Sequence, residues 1–288
     1  MNNQKDTQAI TVAIAYDFDG TLAPGNMQEH SFLPELGIAK EAFWAEANQM
    51  AMDSDMDGIL AYMQLMLVKA KENNVQVRQK DFEQYGKGIT LFPGVEDYFD
   101  RINEFGKTLG LHIEHHIISS GLREFIAGTS IAKYFRNIFA SGFSYNSNGF
   151  AEWPALAINY TNKTQYLFRI NKGIDNAYDN HLVNKFIPED LKPVPFSRII
   201  YIGDGETDVP AMKMVKYQGG STIAVYNPFS SVNREGLSAG DVCRQLIAQN
   251  RVDYIAKADY SEDGPLDTLL KMLITQIRLK LDLSVFKQ

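Results

Sequence analysis

Short apolar runs that alternate with helical segments are the feature that most constrains the fold of this chain. Four such runs occupy residues 11–16, 113–118, 198–202 and 222–226, and residues 252–256 are a candidate for a fifth. Continuous apolar runs of this length are typical of strands that are covered on both faces. Strands that alternate with helices predict an α/β fold with a doubly wound parallel sheet, in which ligands bind beyond the carboxyl ends of the strands.

One long segment interrupts this alternation because it contains no convincing strand. Within it, apolar side chains recur at helical spacing, at Leu60, Met63, Leu67 and Ala70. We therefore predict a helical cap that is inserted after the first strand. The predicted cap spans residues 26–90, and the predicted core comprises residues 1–25 and 91–288.

Composition and charge exclude several classes of protein. The 288 residues carry a formal net charge of -7, so nucleic acid is not an expected partner. Cys243 is the single cysteine, which rules out an internal disulfide. No stretch approaches the roughly 18 consecutive apolar residues of a membrane span, and the polar N-terminus, MNNQKDTQAI, lacks the apolar centre of a signal peptide. We therefore expect a cytoplasmic protein with no membrane partner, and the sequence carries no signal for a particular oligomeric state.

Polar residues stand where the predicted strands end and where one helix is predicted to begin. They are Asp17, Asp19, Ser119, Lys172, Asp204 and Asp208. Because the carboxyl ends of parallel strands meet at one edge of a sheet, we expect these residues to converge. Four carboxylates and one ammonium group leave an excess of negative charge. Mg²⁺ prefers a few carboxylates, waters and a substrate phosphate, so the set predicts a magnesium site that also binds a phosphoryl group.

Four motifs, in their order along the chain, resemble the haloacid dehalogenase (HAD) superfamily and specifically its magnesium-dependent phosphatases. They are DFDGT at 17–21, IISSG at 117–121, NKG at 171–173 and GDGETD at 203–208. The helical insertion is similar to the first-type cap of this superfamily, which phosphoserine phosphatases share. The resemblance implies a Rossmann-like parallel-sheet core with an inserted helical cap. It also implies a phosphatase that hydrolyses a small phosphorylated metabolite through an aspartyl-phosphate.

The same resemblance implies a role for each residue. Asp17 would attack phosphorus, while Asp19 would protonate the leaving oxygen and then activate water. Mg²⁺ would be bound by Asp17, by the backbone carbonyl of Asp19 and by Asp204. Asp208 would orient waters or the lysine from outside the coordination sphere. The phosphate would be held by Gly20, Ser119, Ser120, Gly121 and Lys172.

Two other lysines are alternatives for the third motif. Thirty-two positions separate Lys172 from Asp204, which is long for compact members of the superfamily. Lys163 and Lys185 therefore remain candidates. We choose Lys172 because its sequence context, directly before Gly173, is the better match.

Three other functions remain open from the sequence. The same site could transfer the phosphoryl group to a second substrate, as a phosphotransferase or phosphomutase does. It could also be a haloacid dehalogenase, although Asp19 argues against this because a departing halide needs no proton. A protein that binds phosphorylated ligands without turnover would have no need of the pair Asp17 and Asp19. Phosphoserine itself is a doubtful substrate, because phosphoserine phosphatases carry a glutamate nine residues after the nucleophile and this chain has Asn26.

Histidines and cap aromatics are interpreted as structural. In the segment HIEHH, His112 and His116 share one face of the strand and His115 lies on the other. This segment enters the strand at its amino-terminal end, far from the expected crevice. Trp44 and Tyr62 could line a substrate pocket, but packing is the role that we expect for them.

Overall fold

The computed structural model describes residues 10–232 and 236–287. The polar segment at the N-terminus, which we interpret as lacking an export signal, lies outside the described residues up to position 9. None of the helices in the described part of the chain is both long enough and apolar enough to cross a membrane.

A seven-stranded sheet forms the centre of the molecule, with the strand order β4-β3-β2-β1-β5-β6-β7. Neighbouring strands are parallel except β3 and β4, which are antiparallel. The strands are β1 (Ile10–Tyr16), β2 (Leu111–Leu122), β3 (Phe135–Tyr145), β4 (Ala151–Leu156), β5 (Ile199–Gly203), β6 (Ser221–Tyr226) and β7 (Tyr254–Lys257). The predicted α/β fold is confirmed, and β7 is the candidate fifth apolar run.

Helices cover both faces of the sheet. The side chains of β1 alternate between the two resulting cores: Val12 and Ile14 belong to one apolar cluster, while Ala13 and Ala15 belong to the other. Helices α5 (Val95–Thr108), α6 (Arg123–Gly128) and α11 (Pro265–Ser284) pack into the first cluster. Helices α7 (Lys163–Lys172), α9 (Val209–Tyr217) and α10 (Ala239–Ala248) pack into the second, and the short α8 (Asn180–Asn184) follows α7.

Residues 26–90 form helices joined by turns, and their β-pairing with the rest of the chain is limited to one isolated bridge, between Arg78 and Phe150. The helices are α1 (Phe32–Glu35), α2 (Lys40–Ser54), α3 (Gly58–Glu72) and α4 (Gln79–Gly86). They share the first apolar cluster with the sheet, and the Phe82 ring stacks on Phe143 with 5.4 Å between the ring centroids. The division of the chain into a cap and a core at these boundaries stays a prediction.

The order of the strands determines where a ligand can bind. The chain passes from β1 to β2 and β3 on one side, and then returns to place β5 on the other side of β1. Tyr16, the last residue of β1, is in register with Ile117 of β2 and Ile202 of β5. The crevice of a doubly wound sheet lies at such a reversal of strand order, beyond the carboxyl ends of the strands. It therefore lies directly after Tyr16.

Candidate active site

Asp17 is the first residue after β1 and stands at the reversal of strand order. Its backbone N–H donates to the carbonyl of Ile202 at 2.9 Å, which extends the pairing of β1 with β5 to the edge of the crevice. Asp204 follows the end of β5 next to it. One carboxylate oxygen from each of Asp17, Asp204 and Asp208 lies within 4.8 Å of the others. The structure thus brings together acids that are almost two hundred residues apart in the sequence.

The turn that follows Asp17 holds Asp19 beside them. Oδ1 of Asp19 accepts a hydrogen bond from the backbone N–H of Met27 at 3.0 Å, which fixes the direction of its carboxyl group. Gly20 has a φ of +75°, and a Cβ there would lie 2.1 Å from Oδ2 of Asp204. Only glycine fits this position, because it tolerates positive φ and leaves room for the carboxylate.

The end of β2 forms the opposite wall. The Ser119 side chain is buried, and its Oγ accepts a hydrogen bond from the N–H of Gly121 at 3.0 Å. The hydroxyl proton of Ser119 therefore remains available to a ligand. A Cβ at Gly121 would lie 2.1 Å from Cε of Met27 and 3.1 Å from Oδ2 of Asp19. The wall is close to the acids because residue 121 has no side chain.

A buried ion-pair network lies beneath the acids. Nζ of Lys163 is 3.1 Å from Oδ1 of Asp17 and 2.7 Å from Oδ1 of Asp208. The Tyr201 hydroxyl donates to the same Asp208 oxygen at 2.7 Å, and the backbone N–H of Asp204 donates to Oδ2 of Asp208 at 3.2 Å. Asp208 is fully buried and both of its oxygens are engaged. It holds Lys163 and the Asp204 backbone in place. Its role outside the coordination sphere of a metal stays a prediction.

The choice of Lys172 is wrong, and the alternative Lys163 occupies the position beside Asp17. The ammonium group of Lys172 donates to the backbone carbonyls of Val183 and Lys185, away from the acids. The Lys185 side chain is exposed. The motif NKG is in fact a helix end: Gly173 adopts left-handed φ, its N–H bonds to Ile170, and the next N–H bonds back to Arg169. This is the Schellman arrangement, which uses glycine for conformational reasons that are unrelated to phosphate.

A sequence signal for Lys163 does exist. Lys163, Tyr166, Leu167 and Ile170 follow helical spacing, and all four are buried. A lysine that lies on the apolar face of a helix is buried. Unless its charge is balanced by a buried acid, its desolvation destabilises the fold strongly. This register distinguishes Lys163 from Lys172, which ends the same helix. The sequence analysis did not identify Tyr201 as a site residue, because a tyrosine within a buried strand is counted with the apolar residues.

Burial and mutual repulsion shift the titration of the acids. The pKa of Asp17 rises to about 6, because burial raises it more than the Lys163 ammonium group lowers it, and Asp208 adds to the rise. The pKa of Asp19 rises well above the usual range, first through burial and then through Asp17. The pKa of Asp204 also rises, through desolvation by the surrounding protein and then through Asp208 and Asp17, although its side chain is exposed at the cavity. Burial alone would lower the pKa of Lys163, but the charges of Asp17 and Asp208 outweigh burial and raise it. The local charge balance is therefore short of positive charge.

The donors at this edge of the sheet fit a hard divalent cation. They are carboxylate oxygens, the ligand type that Mg²⁺ prefers. Asp208 is already committed to hydrogen bonds, which leaves Asp17 and Asp204 as the side chains that would bind the ion. The raised pKa values of Asp17 and Asp204 indicate that positive charge is missing from the site. A cation bound there would supply it.

The acids open into a cavity of about 470 Å³ between the core and the inserted helices. Core residues that line it include Asp17, Asp19, Ser119, Ser120, Gly121 and Asp204, while Gly20 lines an adjoining space with Asp19 and Asp204. Helices α2 and α3 contribute Trp44 and Tyr62, whose rings meet edge to face at 5.6 Å. These two aromatics therefore wall the cavity in addition to packing. In the described part of the chain, no lysine or arginine is among the lining residues.

The doubly wound sheet, the acids at the reversal of its strand order and the helical insertion over them have the fold of a HAD family hydrolase. Comparison with protein families gives the class. The model of the family described as Putative Phosphatase matches residues 12–221, and the chain belongs to this family. It is accordingly a hydrolase that acts on phosphoric monoesters.

Similar proteins support the fold over most of the chain. An uncharacterized protein of Borreliella burgdorferi is 27% identical over 278 residues, which cover 87% of this chain and 92% of that protein. A HAD family hydrolase from Salmonella enterica serovar Typhi has a TM-score of 0.57 at 18% identity, covering 92% of this chain and 71% of that one. Phosphoserine phosphatase in its apo form has a TM-score of 0.55 at 15% identity, covering 91% of this chain and 99% of that one. At these identities the two solved structures establish the fold alone.

Proposed function

We propose that this protein is a Mg²⁺-dependent phosphatase that hydrolyses a small phosphorylated metabolite through a phosphoryl group attached to Asp17. The observation that carries the proposal is the position of the Lys163 ammonium group, which is buried behind the cavity wall, 3.1 Å from Oδ1 of Asp17, while Asp17, Ser119 and Asp204 line the cavity itself. A nucleophile, its counter-charge and a hydroxyl donor meet in one space that is large enough for a small ligand.

The first half of the reaction transfers the phosphoryl group to the protein. An oxygen of Asp17 attacks phosphorus, and the bond between phosphorus and the ester oxygen breaks. Asp19 gives its proton to the departing oxygen. Burial and then the charge of Asp17 raise the pKa of Asp19, which favours the protonated form that this step uses. The Met27 N–H keeps that carboxyl group directed into the site.

The second half regenerates Asp17. Asp19, now ionised, takes a proton from water, the water oxygen attacks phosphorus, and the bond to Asp17 breaks to release phosphate. The Ser119 hydroxyl would donate to a phosphoryl oxygen, with Gly20, Ser120 and Gly121 forming the close wall around it, and Lys163 would balance the charge on Asp17. When bound by Asp17, Asp204 and the Asp19 carbonyl, Mg²⁺ would neutralise the charge that builds up on the phosphoryl oxygens.

The cavity favours a metabolite over a folded protein as the substrate. Helices α2 and α3 cover it, and a lining of aromatic and amide side chains suits a compact leaving group. Because no lysine or arginine lines the cavity in the described part of the chain, a leaving group with its own carboxylate finds no cation there. This supports the expectation from Asn26 that phosphoserine is a poor substrate. We keep the cytoplasmic location as part of the proposal.

Phosphate release from p-nitrophenyl phosphate and from a panel of phosphorylated metabolites tests the function. We expect turnover with Mg²⁺, loss of turnover after treatment with EDTA, and recovery when Mg²⁺ is added back. Acceptor alcohols in the same assay distinguish hydrolysis from phosphoryl transfer, because a transferase makes new phosphoesters in their presence. Undiminished turnover after thorough chelation would rule out the metal-dependent mechanism.

A further inference from the structure

Two hydrogen bonds connect α3 to the core across the cavity. The Tyr62 hydroxyl donates to the backbone carbonyl of Ser120 at 2.7 Å. On the other side, Nδ2 of Asn159 donates to Oδ2 of Asp57, the residue that precedes α3, at 2.8 Å. All four residues line the cavity. The first turns of α3 therefore close the space over the acids, and they are fixed on both flanks.

Both carboxylate oxygens of Asp57 accept hydrogen bonds in this arrangement. Its Oδ1 accepts hydrogen bonds from the N–H groups of Ile59 and Leu60, at 2.8 and 3.2 Å, and so caps the N-terminus of α3. Its Oδ2 accepts from Asn159. The carboxylate thus links the end of a cap helix to the core with both of its oxygens engaged.

Asn159 is part of the turn that precedes α7, the helix that carries Lys163. Its Oδ1 accepts from the backbone N–H of Asn162 at 3.3 Å, and its own N–H donates to Oδ1 of Asn162 at 2.8 Å. Its carbonyl accepts the N–H of Lys163 at 3.1 Å. Because its side-chain oxygen faces a donor, the amide NH₂ group must point at Asp57. Asn159 therefore has one fixed orientation, and it contacts the cap through its side chain and Lys163 through its backbone.

We propose that the hydrogen bond between Asp57 and Asn159 couples closure of the cap to the position of Lys163. Asp57 and Asn159 are positioning residues for the lysine. When the cap opens, this bond breaks and the turn before α7 loses a restraint. When the cap closes over a bound ligand, the same bond fixes the turn and holds the ammonium group against Asp17. This inference rests on the proposed function for its effect on catalysis, but the coupling itself does not depend on the reaction.

A pair of substitutions tests the coupling with matched chemistry. Asn159→Asp places a carboxylate against Asp57 and removes the donor. The double variant Asp57→Asn with Asn159→Asp restores a donor and an acceptor in the opposite direction, while asparagine still caps α3. Asn148→Asp, in an exposed turn, is the control for the added charge.

With p-nitrophenyl phosphate and Mg²⁺ we expect kcat to fall about tenfold in N159D, with KM changed far less, since misplacement of a catalytic group lowers turnover. We expect the double variant to recover to within about threefold of the starting enzyme, as expected for a restored pairwise interaction.

Hydrogen exchange in the metal-free protein provides a readout that is independent of activity. We expect N159D to raise amide exchange in two separate segments, the first turn of α3 and the first turn of α7, and the double variant to restore both. A rise confined to α7, or a double variant as impaired as N159D in both assays, would overturn the proposal. If N159D fails to fold, Asp57→Asn alone takes its place, because it keeps the cap on α3. If the unmodified protein releases no phosphate, the proposed function fails while the exchange measurement still decides the coupling.

Discussion

The side-chain ammonium group of Lys163 forms an ion pair with Asp17, with 3.1 Å between Nζ and Oδ1. The same ammonium group lies 2.7 Å from Asp208, and all three side chains are buried. Without the lysine between them, the carboxylates of Asp17 and Asp208 would repel each other in a medium of low dielectric constant. The lysine is therefore needed for the stability of the site as well as for its proposed chemistry.

Replacing this lysine should have a large effect, and replacing the lysine that the sequence favoured should not. We expect Lys163→Met to reduce phosphate release by about a thousandfold, the cost of losing a group that stabilises charge in a transition state. It should also lower the free energy of unfolding by about 3 kcal/mol, because a buried charge pair loses one partner. Lys172→Met is the matched control and should retain activity. The reverse pattern, an inactive Lys172→Met and an active Lys163→Met, would return the catalytic role to Lys172.

Asp17→Asn should abolish turnover and leave the fold intact. An amide is not a nucleophile towards phosphorus, so the loss should reach about ten-thousandfold or more, as when other catalytic nucleophiles are removed. Stability should be maintained, because the substitution removes one charge from a group of buried acids. Phosphate release and thermal unfolding measure the two effects, with Asp190→Asn at an exposed position as the control. Near-normal activity in Asp17→Asn would remove Asp17 from the nucleophilic role.

Gly20→Ala should damage the metal site through sterics. The added Cβ would lie 2.1 Å from Oδ2 of Asp204, so this carboxylate must move. We expect the affinity for Mg²⁺ to fall by about ten- to a hundredfold, the usual cost of displacing a metal ligand through its neighbours. Gly149→Ala is a close control, because Gly149 has a φ of +79° and nothing within 4 Å of the added atom. It should show only the strain of left-handed backbone, about 1 kcal/mol. Equal loss of Mg²⁺ affinity in both variants would mean that backbone strain, rather than the clash with Asp204, causes the effect.

Acid should destabilise the protein through His115, which is buried. Nδ1 of His115 lies 2.9 Å from the Tyr16 hydroxyl, and Nε2 lies 3.1 Å from Oδ1 of Asn103. Because an amide oxygen only accepts, Nε2 carries the proton and Nδ1 accepts from Tyr16, so the ring is neutral. Burial lowers the pKa of His115 to about 3, and the charges of His116 and His112 add to this.

The sign of the effect follows from these values. The unfolded chain takes up a proton near the ordinary pKa of 6.5, whereas the folded protein does not until about pH 3. The free energy of unfolding should therefore fall as the pH drops through this window, by about 1.4 kcal/mol between pH 7.5 and 5.5 from this residue. Urea unfolding at several pH values measures the slope. His115→Gln should reduce it and the exposed His112→Gln should not. An unchanged slope in His115→Gln would show that other groups cause the acid sensitivity.

Hydrophobic periodicity predicted the sheet well, because each buried parallel strand is a continuous apolar run within one short segment of the sequence. The runs that lead to Asp17 and Asp204 are apolar on both faces, and each ends in a polar group at the crevice. The same reasoning places Ser119 on the opposite wall. It failed for Lys172, because a glycine after a lysine serves equally well to end a helix or to begin one, and only the hydrogen bonds of Gly173 distinguish the two.

The sequence by itself determined the α/β class, the acids at the strand ends and the helical insertion, because these depend on the spacing of residues along a single segment. Only the tertiary structure decided which lysine neutralises Asp17, that Tyr201 supports Asp208, and that Asp57 and Asn159 join the cap to the core. Each of these contacts connects different segments. Their strength depends on burial, distance and the direction of a donor, and none of these is fixed until the chain has folded.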